Sequence, residues 1–294
     1  MFVALREVTL FQAGFDSLRA GLAAVGVDAV ELGLTRELRL PALEDSLDTA
    51  LPAATPEQAA AAASAYRQAG LRVCALLVAN NFNAPDPEAE IAHVVRAVAV
   101  AESLGAPVVR LDGAMSGLDR LSHRRRLALF VSALERILAA TLASSVVLAV
   151  ENHGRQGNDH LWLEGLLAAL PLPRVALTLD PANLYWAGYP RAQVYDLVST
   201  FAPRVAHVHA KNLTYPPDLR DRRRPAGWEY ARCVCPLPDG DLDYAAVAAR
   251  LAAAGYRGAL AIEDESLATF PPAARPEQLR QAARYLQSCL PAAR

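Results

Sequence analysis

The chain has 294 residues, of which 53% are hydrophobic and 20% are charged. This composition excludes intrinsic disorder, collagen-like repeats and coiled coils, and it predicts a globular protein. The 29 Lys and Arg residues against 31 Asp and Glu residues give a net charge of −2, which offers no general attraction to nucleic acid or to an anionic membrane. We therefore expect neither of these as a partner.

Targeting and redox signals are weak. The first residues lack a basic stretch followed by an apolar core, and no apolar run approaches the ~18 uncharged residues of a membrane span. The four cysteines, Cys74, Cys233, Cys235 and Cys289, are too few and too scattered for a disulfide scaffold. We predict a cytoplasmic protein with reduced thiols.

Short aliphatic runs alternate with longer segments of helical spacing, a pattern typical of βα units around a parallel sheet. The eight runs predicted as strands are 2–5, 29–34, 73–78, 108–112, 146–151, 175–180, 205–209 and 259–263. Thr55 and Gln58 form a capping box before a helix that ends at Gly70, and Asp86 precedes a helix that ends at Gly105. Eight such units without a Gly-rich dinucleotide motif favour a (β/α)8 TIM barrel of the α/β class, with residues 1–294 as a single domain.

The segment from Asn212 to Asp241 is long and rich in Pro and Arg. Such a segment in a compact domain is more often a functional lid or an oligomer arm than a spacer. Trp186 and Trp228 are expected in loops at the mouth of the barrel, where they form a lid, local packing or a subunit contact.

Period-two alternation predicts one polar, inward-facing side chain at the end of each of the last four strands. These side chains are Glu151, Asp180, His209 and Glu263. Active sites of barrels lie at this face, so we expect the four to converge. Three converging carboxylates require a cation unless some stay protonated, and a divalent metal is the economical answer. The donor set suits Mn²⁺, Mg²⁺ or Co²⁺, and Zn²⁺ is also acceptable.

Each of these residues alone would more often be a helix cap or a solvated loop residue. Their shared placement on four successive strands favours the metal site. His207 lies one layer deeper than His209 and is interpreted as a hydrogen-bonded histidine of the barrel core.

The strand ends carry motifs in a characteristic order. The motifs are Val150-Glu151-Asn152-His153-Gly154, Leu179-Asp180-Pro181-Ala182-Asn183-Leu184, His207-Val208-His209-Ala210-Lys211-Asn212, Pro238-Asp239-Gly240-Asp241-Leu242-Asp243 and the run from Gly255 to Glu263. In this order they resemble the xylose isomerase-like barrels, specifically the sugar phosphate isomerase/epimerase family. That family includes ketose 3-epimerases, hydroxypyruvate isomerase and inosose dehydratase.

The resemblance implies that Glu151, Asp180, His209 and Glu263 bind one divalent metal, most simply Mn²⁺. It further implies that Glu151 and Glu263 act as acid/base groups on opposite faces of a sugar or sugar-like substrate. The metal would bind a carbonyl and an adjacent hydroxyl oxygen, and one carboxylate would remove the neighbouring proton to form an enediolate. Such an isomerase or epimerase needs no nicotinamide. Relatives are commonly dimers or tetramers, so a homo-oligomer is expected.

Four further residues are predicted to contact substrate. Alternation directs His153 and Lys211 to the mouth, and Asn183 stands where several relatives have His. Arg110 ends the fourth strand on the inner side together with Asp112, where an internal ion pair is an equal alternative. A substrate-binding Arg of some relatives has no counterpart, because that position is Tyr215.

Three other functions compete with the isomerase or epimerase. A dehydratase of the inosose dehydratase type would share the metal and the proton abstraction, and a non-catalytic sugar-binding or accessory barrel would keep the ligands without the reaction. An apurinic endonuclease is disfavoured, because the third and fourth predicted strands end without the histidines of a three-metal site.

Overall fold

The computed structural model describes residues 1–44 and 50–291, and within these ranges eight parallel strands close into a barrel. The strands are β1 (Phe2–Arg6), β2 (Ala29–Leu34), β3 (Arg72–Val78), β4 (Val108–Asp112), β5 (Val147–Glu151), β6 (Val175–Leu179), β7 (Val205–Ala210) and β8 (Ala259–Ile262). Each strand pairs with its neighbours in chain order, and β8 pairs with β1. The predicted barrel is confirmed, and each strand limit differs from the predicted one by at most one residue.

Helices surround the barrel. Those described are Glu7–Gln12, Leu18–Val25, Pro56–Gln68, Pro87–Leu104, His123–Ala140, Gly154–Gly157, His160–Ala169, Pro181–Trp186, Arg191–Phe201, Tyr230–Cys233, Tyr244–Ala253 and Arg275–Cys289. The two helix starts predicted from the sequence are confirmed, because Thr55 and Gln58 form the capping box and the Asp86 side chain accepts the N–H of Ala89. None of the helices described is long and apolar enough to cross a membrane.

Alternation along the strands separates two apolar regions. Outward-facing Val, Leu and Ile residues pack against the helices in the main core. The inner cluster consists of small residues instead: Ala4, Ala29, Cys74, Ala75, Val108, Ala149, Ala259 and Ala261. Barrel interiors are usually filled by bulky branched side chains. Here the small ones leave space inside for long charged residues such as Glu31, which is fully buried.

The register of the barrel shifts by one residue between β6 and β7. Leu177 lies opposite Val205, whereas the next residue, Thr178, lies opposite His207. Such an irregularity re-aims the side chains that follow it and is common beside active sites. His207 and His209 both follow this shift and are both buried.

Residues 214–233, called the mouth segment below, fold back over the carboxyl end of the barrel. Asn212–Leu213 pairs antiparallel with Val234–Cys235 and closes the base of the segment. The buried Arg224 donates to the carbonyl oxygens of Tyr185 and Tyr189. Gly188, with φ +91°, lies so close to the segment that a Cβ atom there would be 1.9 Å from the Arg224 carbonyl oxygen. Long-range contacts thus hold the segment against the barrel.

The structure corrects the predicted position of Trp186 and leaves three other predictions untested. Trp186 ends the helix Pro181–Trp186 instead of lying in a loop, because Asp180 caps this short helix directly after β6. Cys74, Cys233, Cys235 and Cys289 are all free thiols. The domain extent of 1–294, the cytoplasmic location and the dimer or tetramer remain predictions, and residues 292–294 lie outside the described range.

Candidate metal and active site

The four candidate ligands lie together at the carboxyl end of the barrel. Glu151 is the last residue of β5, Asp180 follows β6, His209 lies near the end of β7 and Glu263 follows β8. All four are buried, and one donor atom from each lies within 4.8 Å of the other three. The folded chain therefore brings together the set that alternation predicts.

Each carboxylate of this set has one oxygen in use outside the cluster. The second oxygen of Glu151, Oε2, pairs with the buried guanidinium of Arg110. Asp180 Oδ1 caps the following helix, accepting the N–H groups of Ala182 at 2.9 Å and Asn183 at 3.1 Å. These bonds leave Glu151 Oε1 and Asp180 Oδ2 for the cluster.

His209 is oriented by a carboxylate behind it. Its Nε2 lies 2.8 Å from Glu31 Oε2, so its Nδ1 faces the cluster, 3.2 Å from Glu151 Oε1 and 3.7 Å from Glu263 Oε2. A carboxylate on the far nitrogen of a ligating histidine fixes the ring and raises its basicity. Burial lowers the pKa of His209, but Glu31, Glu151 and Glu263 outweigh burial and hold it well above the usual value.

Glu31 contacts the candidate ligand His209 but lies in none of the sequence motifs. It lies in the middle of β2, and its carboxylate also lies 3.4 Å from His207 Nε2. The alternation of Ala29 to Leu34 would have placed Glu31 on the inner face, but it has no motif around it. His207 is buried beside this carboxylate, in the place expected for a histidine of the barrel core.

The side chain of Asn152 joins the ends of β5 and β6. Its amide oxygen accepts the N–H of Asp180 at 2.6 Å, and its amide nitrogen donates to the Asp180 carbonyl oxygen at 2.8 Å. This pair of bonds fixes the backbone of one ligand relative to its neighbour, Glu151. The predicted Glu-Asn-His motif thus has a structural role at its second position.

The chain supplies cations of its own to this site. Arg6 pairs with Glu263 Oε1, Arg110 pairs with Glu151, and the Lys211 ammonium lies 3.2 Å from Asp180 Oδ2 and 2.9 Å from Glu263 Oε2. The three carboxylates therefore have protein cations beside them in addition to any metal ion that they bind. Arg6 and Arg110 contact the second oxygens of Glu263 and Glu151, whereas Lys211 contacts the oxygens that face the cluster.

The carboxylates differ in how readily they take up a proton. Burial alone would raise the pKa of Glu263, but Lys211 and His209 bring it down to about 2. Burial raises the pKa of Asp180 to about 6, against the opposing effect of Lys211. For Glu151, Arg110 and His209 overcome burial and hold the pKa well below its usual value. Glu151 and Glu263 are therefore ionised at neutral pH.

The donor set fits a divalent metal ion. Three carboxylates and one imidazole offer the mixed oxygen and nitrogen ligands that first-row divalent metals bind. Asp180 Oδ2 is buried and accepts no hydrogen bond from the residues described, although the Lys211 ammonium lies near it. Arg110, Arg6, Glu31 and the N–H groups that follow Asp180 hold the remaining side-chain polar atoms of the set, so the candidate ligand side chains are already oriented.

Two cavities open beside the cluster. One of about 300 Å³ is lined by His153, Gly154, Asn183, Trp186, Lys211, Tyr230 and Glu265. The other, of about 400 Å³, lies on the side of β1 and β8 and is lined by residues that include Arg6, Glu263 and Glu265. The smaller cavity contains three of the four predicted substrate-binding residues, whereas Arg110 lies behind Glu151 in an internal ion pair.

The contacts of His153 and Asn183 fix their side chains at the mouth. His153 Nδ1 lies 3.0 Å from Asp112 Oδ1, and this hydrogen bond raises the His153 pKa. Asn183 Nδ2 donates to Glu151 Oε1 at 3.1 Å. Both residues therefore present polar groups between the cavity and the candidate ligands.

The closed parallel barrel with its surrounding helices is a TIM barrel. The carboxylates and the histidine that converge at its carboxyl end form a candidate active site. Residues 20–289 match the family model of the xylose isomerase-like TIM barrel, and the chain belongs to this family. The resemblance noted in the sequence motifs is therefore confirmed at the level of the family. A comparison with curated proteins found no match.

Solved structures share the whole fold at low sequence identity. An IolI protein with a binding zinc atom is 14% identical, with a TM-score of 0.69 over 99% of both chains. A D-tagatose 3-epimerase-like protein is 14% identical, with a TM-score of 0.66 over 98% of this chain and 99% of the other. The probable 3-DHS dehydratase AsbF from Bacillus anthracis is 13% identical, with a TM-score of 0.66 over the same shares. At these identities the likeness concerns the fold.

Proposed function

We propose that the protein is a divalent-metal-dependent isomerase or epimerase of a sugar or sugar-like hydroxy-ketone. The observation that carries this proposal is the convergence of Glu151, Asp180, His209 and Glu263, each with its other polar atom bound elsewhere. Each carboxylate has one oxygen that pairs with Arg110, with Arg6 or with the N–H groups of the helix Pro181–Trp186, and its other oxygen faces a centre shared with His209 Nδ1.

Glu151, Asp180, His209 and Glu263 would hold the metal ion, and we propose Mn²⁺ because three of the four ligands are hard oxygens. Mg²⁺, Co²⁺ and Zn²⁺ are the alternatives. When bound, the ion would polarise the carbonyl group of the substrate and thereby acidify the adjacent C–H group. The zinc atom of the similarly folded IolI structure is consistent with a divalent ion in this type of barrel.

Glu151 and Glu263 are proposed to move the proton. They come from β5 and β8, which are separated in the barrel by β6 and β7, so they approach a bound molecule from different sides. Both are ionised at neutral pH, as a general base must be. One carboxylate would remove the proton next to the carbonyl group, and the other carboxylate or a water molecule would return one.

The cavity of about 300 Å³ is the proposed substrate site. Its volume is at the lower end of the range of ligand pockets, which suits a small polar molecule. His153, Asn183 and Lys211 would bind substrate oxygens there, and the indole of Trp186 offers an apolar wall. Arg110 would act through Glu151 instead of touching substrate.

The first test is bound metal, measured by elemental analysis after loading with Mn²⁺. We expect about one ion per chain in the wild type and almost none in Asp180→Ala/His209→Ala. The matched control, Asp218→Ala/His123→Ala, removes the same residue types from exposed positions and should retain the ion. A wild-type protein that binds no divalent ion even in excess would refute the proposed function.

The second test separates the possible reactions. A panel of ketoses and inososes is incubated in D₂O with the Mn²⁺-loaded protein and followed by NMR. Deuterium next to the carbonyl group together with an epimer or isomer supports the proposal, and both should be lost in Glu151→Gln and Glu263→Gln. Loss of water would assign a dehydratase instead, and binding without exchange would assign a non-catalytic sugar-binding or accessory barrel.

A further inference from the structure

The Lys211 ammonium contacts one carboxylate oxygen of Asp180 and one of Glu263, and neither oxygen accepts a hydrogen bond from another described residue. Asp180 Oδ1 is used by the helix cap, and Glu263 Oε1 is used by Arg6. The remaining oxygens, Asp180 Oδ2 and Glu263 Oε2, lie 3.2 Å and 2.9 Å from Lys211 Nζ. The ammonium group therefore holds the same oxygens that a metal ion in the cluster would need.

A third carboxylate contacts Lys211 from outside the candidate ligand set. Glu265 Oε1 lies 2.6 Å from Lys211 Nζ, whereas the other oxygen of Glu265 accepts the hydroxyl of Tyr230 from the mouth segment. The Glu265 side chain is 36% exposed, against 8% for Lys211, and Glu265 borders both cavities. Lys211 is thus shared between the cluster and one carboxylate at the mouth.

Two cations cannot be held equally well by the same two oxygens. A divalent ion on Asp180 and Glu263 would repel the Lys211 ammonium and take over the oxygens that it contacts. The flexible four-carbon stem of lysine allows the ammonium to shift without movement of the backbone. Glu265 is the acceptor that it already contacts and that lies away from the cluster.

We propose that Glu265 is a positioning residue of the metal centre, which receives Lys211 when a divalent ion binds to Asp180 and Glu263. Before the ion binds, Lys211 is the counter-ion of these two carboxylates. Because Tyr230 donates to the same Glu265 side chain, the shift of Lys211 also changes the charge that the mouth segment contacts. This inference rests on the proposed function, since it assumes that the cluster binds metal.

A double-mutant cycle tests the proposal with the metal alone. Mn²⁺ binding is measured by titration calorimetry in the wild type, Glu265→Gln, Lys211→Met and the double variant. Glu265→Gln should weaken binding about tenfold or more, the range for residues that support a metal ligand, because Lys211 then stays on Asp180 and Glu263. In the Lys211→Met background the same change should have little effect, because no ammonium remains to be moved.

The control is Glu229→Gln, which removes a charge from an exposed carboxylate of the mouth segment whose contact is Arg232. This variant should bind Mn²⁺ as the wild type does. An equal loss for Glu265→Gln in both backgrounds would show a general charge effect and overturn the proposal, as would no loss at all. A wild type that binds no Mn²⁺ would instead refute the proposed function, and this inference with it.

Crystals of the wild type with and without Mn²⁺ give a second test that needs no variant, in case Lys211→Met does not fold. With Mn²⁺ bound, Lys211 should lose its contacts with Asp180 and Glu263 and keep the contact with Glu265. Lys211 found unmoved beside a bound ion would overturn the proposal.

Discussion

The two halves of the barrel contribute to the site in different ways. Strands β5 to β8 supply the four candidate ligands at their ends, within motifs that can be read in the sequence. Strands β1, β2 and β4 supply single charged residues, Arg6, Glu31 and Arg110, which contact those candidate ligands. The comparison teaches that the candidate metal ligands lie within sequence motifs, whereas most of the charged residues that contact them are scattered among apolar strands.

Among the charged residues supplied by β1, β2 and β4, Arg110 is expected to show the largest effect when it is replaced, and the variant that tests this is Arg110→Met. The change leaves Glu151 buried without its guanidinium partner, and breaking a buried ion pair costs about 3–5 kcal/mol. We expect that loss in the free energy of unfolding, measured by urea denaturation of the metal-free protein. Arg36→Met, which breaks the more exposed pair with Glu90, should cost less than about 1 kcal/mol. Equal effects of the two changes would contradict the role assigned to Arg110.

Glu31→Gln tests whether β2 contributes to metal binding without contacting the metal. The amide keeps the shape of the side chain but removes the charge behind His209 Nε2. Mn²⁺ affinity is expected to fall about 10- to 100-fold, as for other partners of ligating histidines, and titration calorimetry measures it. Glu44→Gln, an exposed carboxylate paired with Arg19, is the control. Unchanged affinity in Glu31→Gln would limit this residue to a packing role.

The pH dependence of Mn²⁺ binding tests the same contacts. The raised pKa of His209 means that the metal-free imidazole is protonated at neutral pH, and the ion must displace this proton. Affinity should therefore fall about tenfold for each pH unit below that pKa, and more steeply below about pH 6, where Asp180 also takes up a proton. Calorimetry at several pH values checks the slope. Glu31→Gln removes one of the carboxylates that raise the His209 pKa, so it should move the His209 part of the curve to lower pH. Affinity that does not vary with pH would contradict this account.

Arg6→Met is expected to have the smallest effect. Its side chain is 27% exposed, so water replaces part of the lost interaction with Glu263. The cost should be about 1–2 kcal/mol, between that of a buried and a surface pair, again measured by urea denaturation. A loss as large as that of Arg110→Met would show that exposure does not distinguish the two arginines.

The parts of the molecule that depend on local pattern were predictable. The eight strands follow from the repeated apolar runs, and the convergence of Glu151, Asp180, His209 and Glu263 follows from alternation together with the barrel closure. Glu31 was missed because one charged residue in the middle of a strand has no motif to mark it. Arg6 was missed because the predicted first strand ended at Leu5, one residue too early.

The mouth segment could not be predicted because long-range contacts determine its path. Arg224 is anchored on carbonyl oxygens of residues almost forty positions earlier, and Gly188 permits the close approach. Nothing local in the Pro- and Arg-rich sequence distinguishes this buried Arg224 from the more exposed Arg222 and Arg223 beside it.

The alanine-rich interior of the barrel has a consequence for how this protein can change. Larger aliphatic residues at positions such as Ala4, Ala75 or Ala149 would fill the barrel in the usual way, yet they would compete for volume with the charged network above them. Directed evolution for heat resistance should therefore accumulate substitutions in the outer core and spare these alanines. Lineages that lose the charged network would be released from this restriction, and larger aliphatic residues there would mark such a loss.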